Sequence, residues 1–173
     1  MRRLPHFLPR FLSVPALLSV AVLAGSLLLG AAPAHAVSDT ALAKAFATGF
    51  VTGFEKSTSV VLPNDEATCV GTRFVPKVKV TDFAKIKTID DLTPVQRQAL
   101  VDSLALCLSP KTYTLVLDKK LTTLKPAQRT CFEAAVLKIG VPKLLALDFE
   151  DFLKKPQTAT TAQVNKLAKS CIK

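Results

Sequence analysis

The sequence predicts an all-α fold, and three features carry that prediction. Apolar residues recur at intervals of three and four positions, which is the spacing of one face of an α-helix. Prolines stand where two of these stretches begin, and proline is favoured in the first turn of a helix. No stretch alternates convincingly between apolar and polar residues, as a half-buried strand would. We therefore expect a small helical bundle.

The first 36 residues predict a cleavable secretory signal peptide. Three arginines precede an uncharged apolar run from Phe11 to Pro33, which ends in Ala34-His35-Ala36, with small residues where signal peptidase needs them. The run is about long enough to span a bilayer, so an uncleaved anchor is the alternative. A proline and a glycine within the run, together with the cleavage site, favour export and cleavage near Ala36.

The chain that follows, residues 37–173, has the length of one domain. Its net charge is +7, because the leader carries three of the 23 cationic residues and none of the 13 acidic ones. Both histidines lie in the leader and tryptophan is absent. Without histidine this chain lacks the commonest general base near neutral pH and the commonest metal ligand. The sequence predicts a protein that is not an enzyme and holds no cofactor.

Four cysteines lie in the mature part, and an even number in an exported chain predicts disulfides. They are Cys69, Cys107, Cys131 and Cys171. The intervening gaps of 37, 23 and 39 residues lack the close pairs of a zinc site, so no metal site is expected. A paired cysteine is also no nucleophile.

An internal repeat reduces the three possible pairings to one. Val75–Phe83 and Val141–Phe149 are identical at five of nine positions, and each stretch lies between two cysteines. We therefore expect two tandem helical units, about residues 39–109 and 110–173, each closed on itself. The predicted bonds are Cys69–Cys107 and Cys131–Cys171.

The middle of the second unit reads Gly140-Val141-Pro142-Lys143-Leu144, followed by Leu147-Asp148-Phe149. This pattern resembles an uncharacterised family of small secreted actinobacterial proteins with helical units bounded by cysteines. The first unit departs from the pattern, with Phe74 in place of the glycine. The resemblance implies a helical exported protein with no known activity, and no functional residue carries over from it.

The first helix is predicted to begin at Asp39 and to end near Lys56. Its apolar stripe has a spacing of four residues and consists of Leu42, Phe46, Phe50 and Phe54. Gly49 and Gly53 border the stripe, and each lowers helix stability by about 1 kcal/mol relative to alanine. Ordinary core packing, close approach of another helix, or a wall for a flat apolar ligand would each explain this pattern.

Later helices are predicted from their ends. Thr93 caps a helix beginning at Pro94, Pro126 begins a helix that Gly140 ends, and Thr160 or Thr161 caps the last one. The β-branched stretch 112–117 has no partner strand, so helix or extended linker is expected.

Asp148, Glu150 and Asp151 cluster around Phe149 and Phe152 and form a candidate acid–base or metal site, and Asp90-Asp91 invites the same interpretation. The alternative is a helix start, where acidic residues favour the macrodipole. The first unit keeps Asp82-Phe83 but has Ala84 and Lys85 next, which favours the alternative. We therefore expect the repeated aspartate to cap a helix and the repeated phenylalanine to anchor the core.

Lysines also recur, at Lys77 and Lys143. Two basic stretches comprise Lys77, Lys79, Lys85 and Lys87, and Lys119, Lys120, Lys125 and Arg129. A basic surface outside a cell suits anionic wall polymers or membrane head groups, although an ordinary solvated surface has the same composition. Nucleic acid is not expected, because Tyr113 is the only polar aromatic residue and export removes the usual partner.

These features predict a secreted, non-enzymatic protein that binds outside the cell or at its envelope. One alternative is a carrier of an apolar ligand such as lipid, with Phe46, Phe50 and Phe54 as the pocket wall. The other is a secreted enzyme that uses the carboxylates around Asp148, which would need a cleft and a raised pKa.

Overall fold

The computed structural model describes residues 39–83, 86 and 89–172. These residues are mostly helical and contain no strand, which confirms the all-α class. The signal peptide predicted for residues 1–36 lies outside the described residues, as do Lys85 and Lys87 of the first basic stretch.

The α-helices follow one another with short connections. They are α1 (Asp39–Thr58), α2 (Asn64–Phe74), α3 (Val80–Phe83), α4 (Pro94–Cys107), α5 (Pro110–Lys120), α6 (Pro126–Leu137), α7 (Val141–Asp148), α8 (Glu150–Leu153) and α9 (Thr158–Cys171). Two 3₁₀ turns, Val75–Lys77 and Ile89–Asp91, lie between α2 and α4.

Several helix boundaries follow from local sequence as predicted. The Thr93 hydroxyl accepts the backbone N–H of Gln96, and the Gln96 side chain accepts the N–H of Thr93, so α4 begins with a capping box. Pro126 begins α6, also as predicted. The β-branched stretch 112–117 is helical and lies within α5, whose first turn Ser109 caps by accepting the N–H of Thr112.

Two predicted boundaries are wrong. The last helix begins at Thr158, so Thr160 and Thr161 both lie inside it instead of capping it. The Thr160 side chain is buried, and the Thr161 hydroxyl donates to the carbonyl of Gln157. Helix α6 ends at Leu137, three residues before Gly140. Gly140 has a φ of 96° and stands immediately before α7, where its carbonyl accepts the N–H groups of Lys143 and Leu144. The positive φ explains a glycine at this tight turn between two helices.

One hydrophobic cluster runs through the described chain and takes buried side chains from the N-terminal half, residues 39–109, and from the C-terminal half, residues 110–172. In the N-terminal half, α1 packs on α2, and α2 packs on α4. In the C-terminal half, α9 packs on α6 and α7. Contacts of α4 with α7 and α8 join the halves.

Both predicted disulfides, Cys69–Cys107 and Cys131–Cys171, are present. Cys69 and Cys131 are each the sixth residue of their helix, α2 or α6. Cys107 and Cys171 each end a helix of 14 residues. Each bond therefore holds the end of a long helix against the middle of an earlier one.

The two disulfides differ in exposure, which predicts an order of reduction. Cys107 is buried and Cys69 half-buried, whereas Cys131 is exposed and Cys171 half-buried. Because a thiolate must reach a sulfur atom to attack it, a mild reductant should open Cys131–Cys171 first in the native protein. Loss of this bond, which closes a loop of 40 residues, should lower the free energy of unfolding by about 4 kcal/mol.

Alkylation at increasing reductant concentration, followed by peptide mass mapping, measures this order. Early labelling of Cys131 and Cys171, with Cys69 and Cys107 still unlabelled, is the expected result. Simultaneous labelling of all four cysteines, or labelling of Cys69 and Cys107 first, would show that exposure does not decide the order.

Candidate functional site

Asp148 is an acidic residue whose side chain is buried in the fold. It is the last residue of α7 and only 9 % exposed. The Tyr113 hydroxyl, from α5, donates a hydrogen bond of 2.7 Å to its Oδ2. The expectation that Asp148 caps a helix start is therefore wrong: it lies at a helix end and faces another helix.

Burial dominates the electrostatics of this pair. It raises the pKa of Asp148 to about 7, and the Tyr113 hydrogen bond and the positive charge of Lys120 lower that pKa by less. Burial, followed by the charge and hydrogen bond of Asp148, also raises the pKa of Tyr113 well above its ordinary value. The pair can therefore hold a proton that titrates near neutral pH, at a position inside the fold.

The three carboxylates of the predicted acid–base cluster have different surroundings. Glu150 is the first residue of α8, and its Oε2 accepts the backbone N–H of Gln157 at 3.1 Å. Asp151 is exposed, whereas Asp148 is buried and bonded to Tyr113. The structure thus places these three carboxylates in separate environments. Within the described residues, no group of three or more His, Cys, Asp or Glu side chains is placed to hold a metal ion.

The two phenylalanines next to these acids are core residues, as the repeat predicted for Phe149. Phe149 is 1 % and Phe152 is 4 % exposed, and their rings are 5.9 Å apart between centroids in an edge-to-face arrangement. Phe83, the equivalent of Phe149 in the first unit, is also buried.

Sequence reasoning missed an ionic cluster between α5 and α6. Arg129 Nη1 donates to Asp118 Oδ1 at 2.9 Å. The pKa of Glu133 is raised, first by burial and then by the charge of Asp118, while Arg129 opposes the shift. Arg129 therefore neutralises local carboxylates and is not a free cation of the second basic stretch.

A second buried carboxylate, Glu66 on α2, faces the start of α5. The Thr112 hydroxyl donates to its Oε1 at 2.8 Å. Its other oxygen is buried without a hydrogen-bond partner. This hydrogen bond joins residues 46 positions apart and holds the start of α5 against α2 of the N-terminal half.

Arg97 joins the halves from α4. Its guanidinium donates to the carbonyls of Leu92 at 2.8 Å, Asp90 at 2.7 Å and Phe152 at 3.2 Å. The same group lies 4.9 Å from the centroid of the Phe152 ring. Only a planar donor fork can serve three carbonyls and a ring together, so lysine would not replace it.

The predicted apolar ligand face of α1 is packed inside the protein. Phe46, Phe50 and Phe54 are each 4 % exposed or less. The Phe50 ring lies between its two neighbours on the stripe, and Phe46 also contacts Phe74 of α2 at 5.1 Å between ring centroids. These rings contribute to the core, so ligand entry would require α1 to move.

Acidic side chains are withdrawn from the described surface more than basic ones. Of the 13 acidic residues six are buried or half-buried, compared with three of the 17 described lysines and arginines. The exposed acids and bases number seven and 14 in the described chain. Among the described residues, folding therefore raises the excess of cations over acids from four for all of them to seven for the exposed ones.

No protein family, curated protein or solved structure shows significant similarity to this chain. The fold and its bonds define an all-α protein closed by two disulfides. Among the described residues no single helix is long and apolar enough to cross a membrane, and α4 and α5 meet that criterion only together, bent by 105°.

Proposed function

We propose that this chain is a secreted, non-enzymatic protein that binds anionic material outside the cell or at its envelope through its basic surface. The observation that carries the proposal is the excess of exposed cations over exposed acids in the folded chain. Such a surface attracts polyanions and concentrates them by long-range electrostatics.

Three further features support a binding role outside the cell. The leader has the pattern of a signal peptide. The two disulfides suit an oxidising compartment. The mature sequence contains no histidine, and Asp148, the carboxylate whose pKa is raised to about 7, is buried and accepts a hydrogen bond from Tyr113. The enzyme alternative would need that carboxylate to reach substrate.

The carrier alternative has less support from the packing. It assigned Phe46, Phe50 and Phe54 to a pocket wall, and these side chains contact one another and α2. A carrier would have to open the principal packing of the N-terminal half, α1 on α2, to admit its ligand.

Binding of the mature chain to isolated bacterial envelopes over a range of salt concentrations tests the proposal. We expect retention at low salt and release between about 0.1 and 0.5 M NaCl, because the screening length falls from about 10 Å at 0.1 M to about 3 Å at 1 M. A variant with Asp148→Asn, which changes no exposed group, should bind unchanged. Retention in 1 M NaCl, or no retention at low salt, would refute electrostatic binding.

A further inference from the structure

We propose that the C-terminal half alone carries the binding surface and that its partner is a flexible polyanion. The inference rests on the proposed function and adds both the location and the partner chemistry. It follows from the uneven distribution of exposed charge between the two halves.

The halves differ in charge far more than in size. In the described N-terminal half, five lysines and arginines and six acids are exposed. In the C-terminal half, nine lysines are exposed, with Asp151 as the one exposed acid. The nine are Lys111, Lys119, Lys125, Lys138, Lys143, Lys154, Lys155, Lys166 and Lys169. Among the residues that the structure describes, the net positive surface charge therefore arises from the C-terminal half.

The fold adds to a polarity that the sequence already carries, since residues 110–173 contain 12 lysines and arginines and five acids, whereas residues 37–109 contain eight of each. The other acids of the C-terminal half are engaged within the fold. Asp148 is bonded to Tyr113, Asp118 to Arg129, and Glu150 to a backbone N–H. Glu133 is half-buried beside Asp118 and Arg129. The exposed lysines of this half therefore have few exposed carboxylates among them.

The cations are also spread over several helices. Lys119 lies on α5, Lys143 on α7, and Lys166 and Lys169 on α9, a helix without an acidic residue. A flexible polymer can follow such a distribution, since each ammonium group acts as a point charge on a flexible stem.

Apolar groups of this half favour a polymer over a membrane. Its aromatic side chains, Tyr113, Phe132, Phe149 and Phe152, are all buried. Leu115, 46 % exposed, is its one large apolar side chain that is prominently exposed. Stable attachment to a bilayer surface generally needs apolar side chains to enter the interface as well as charge. The half offers charge without such a set of anchors.

Titration with long-chain inorganic polyphosphate tests the inference on the disulfide-bonded mature chain. The C-terminal triple variant is Lys143→Gln, Lys166→Gln and Lys169→Gln. The N-terminal triple variant, Lys44→Gln, Lys77→Gln and Lys79→Gln, removes the same charge from exposed sites in the other half. The C-terminal variant should bind at least tenfold more weakly, with the slope of log K against log salt reduced by about 2. The N-terminal variant should stay within about twofold of the parent chain.

Each of the remaining outcomes would refute a particular part of the proposal. Equal weakening by both triple variants would refute the localisation and leave electrostatic binding intact. Binding to vesicles of anionic phospholipid without binding to polyphosphate would refute the polymer partner. Envelope binding of the parent chain without binding to either probe would refute recognition of flexible polyanions, whereas absence of all binding would refute the proposed function itself. Circular dichroism and thiol counting confirm that the variants are folded and oxidised.

Discussion

Replacing Asp148 with asparagine is expected to stabilise the protein at neutral and alkaline pH and to remove a decline in stability between about pH 4 and pH 7. The pKa of Asp148 is raised from 3.8 to about 7 in the folded chain, so the folded state keeps a proton that the unfolded state has lost. Stability therefore falls as pH rises through this interval and levels off above it. Each pH unit removes about 1.4 kcal/mol of the free energy of unfolding, or about 4 kcal/mol in total.

The asparagine variant retains the geometry of the protonated acid. Its Oδ1 can accept the Tyr113 hydroxyl, and the amide never ionises. At pH 4 the variant and the parent chain should be equally stable to within about 1 kcal/mol. At pH 8 the variant should be more stable by about 3–4 kcal/mol. Urea unfolding at intervals of one pH unit from 4 to 8, with both disulfides intact, measures the difference.

Tyr113→Phe provides the matched control, because it removes the donor and leaves the acid. At pH 8 it should destabilise the parent chain by about 2–3 kcal/mol, since a buried carboxylate loses its hydrogen bond. In the Asp148→Asn background the same change should cost only about 1 kcal/mol. Parallel pH profiles for the parent and the asparagine variant would show that Asp148 does not titrate with a raised pKa.

The contrast between Thr93 and Asp148 shows what local sequence can predict. Thr93 and Gln96 bond each other's backbone within one turn, so three residues contain all the information for that cap. Asp148 depends on Tyr113, 35 positions earlier, and on burial by the whole fold. The repeat relates Asp148 to Asp82, yet Asp82 is half-buried within the short helix α3. Equivalent sequence positions thus have different surroundings.

The disulfide pairing was also predictable from the sequence, because the internal repeat places two cysteines in each unit. The charge polarity of the halves is likewise present in the sequence, since residues 110–173 contain 12 lysines and arginines and five acids, whereas residues 37–109 contain eight of each. Local sequence does not reveal which of these charges pair. Asp118 and Arg129 form an ion pair between two helices, although the sequence places them among exposed lysines.

Gly71→Ala is expected to lower the free energy of unfolding by about 2–3 kcal/mol, because α1 and α2 approach closely at this glycine. A Cβ atom on Gly71 would lie 2.5 Å from the backbone oxygen of Ala43. Both residues are buried, and the oxygen belongs to the backbone of α1, so a rotamer change cannot relieve the overlap. The helices must move apart, which loosens the packing of Phe46 against Phe74.

Gly49→Ala is the matched control, and it should have the opposite sign. A Cβ atom at Gly49 meets no heavy atom within 4 Å. Alanine there should stabilise α1 by about 0.5–1 kcal/mol through helix propensity. Urea unfolding of both variants tests the pair. Equal effects at the two sites would show that the close contact at Ala43 relaxes freely. Close approach of another helix was one of three explanations for the glycines that border the α1 stripe. Gly49 has no such contact, whereas Gly71 on the facing helix does, and only the packing reveals it.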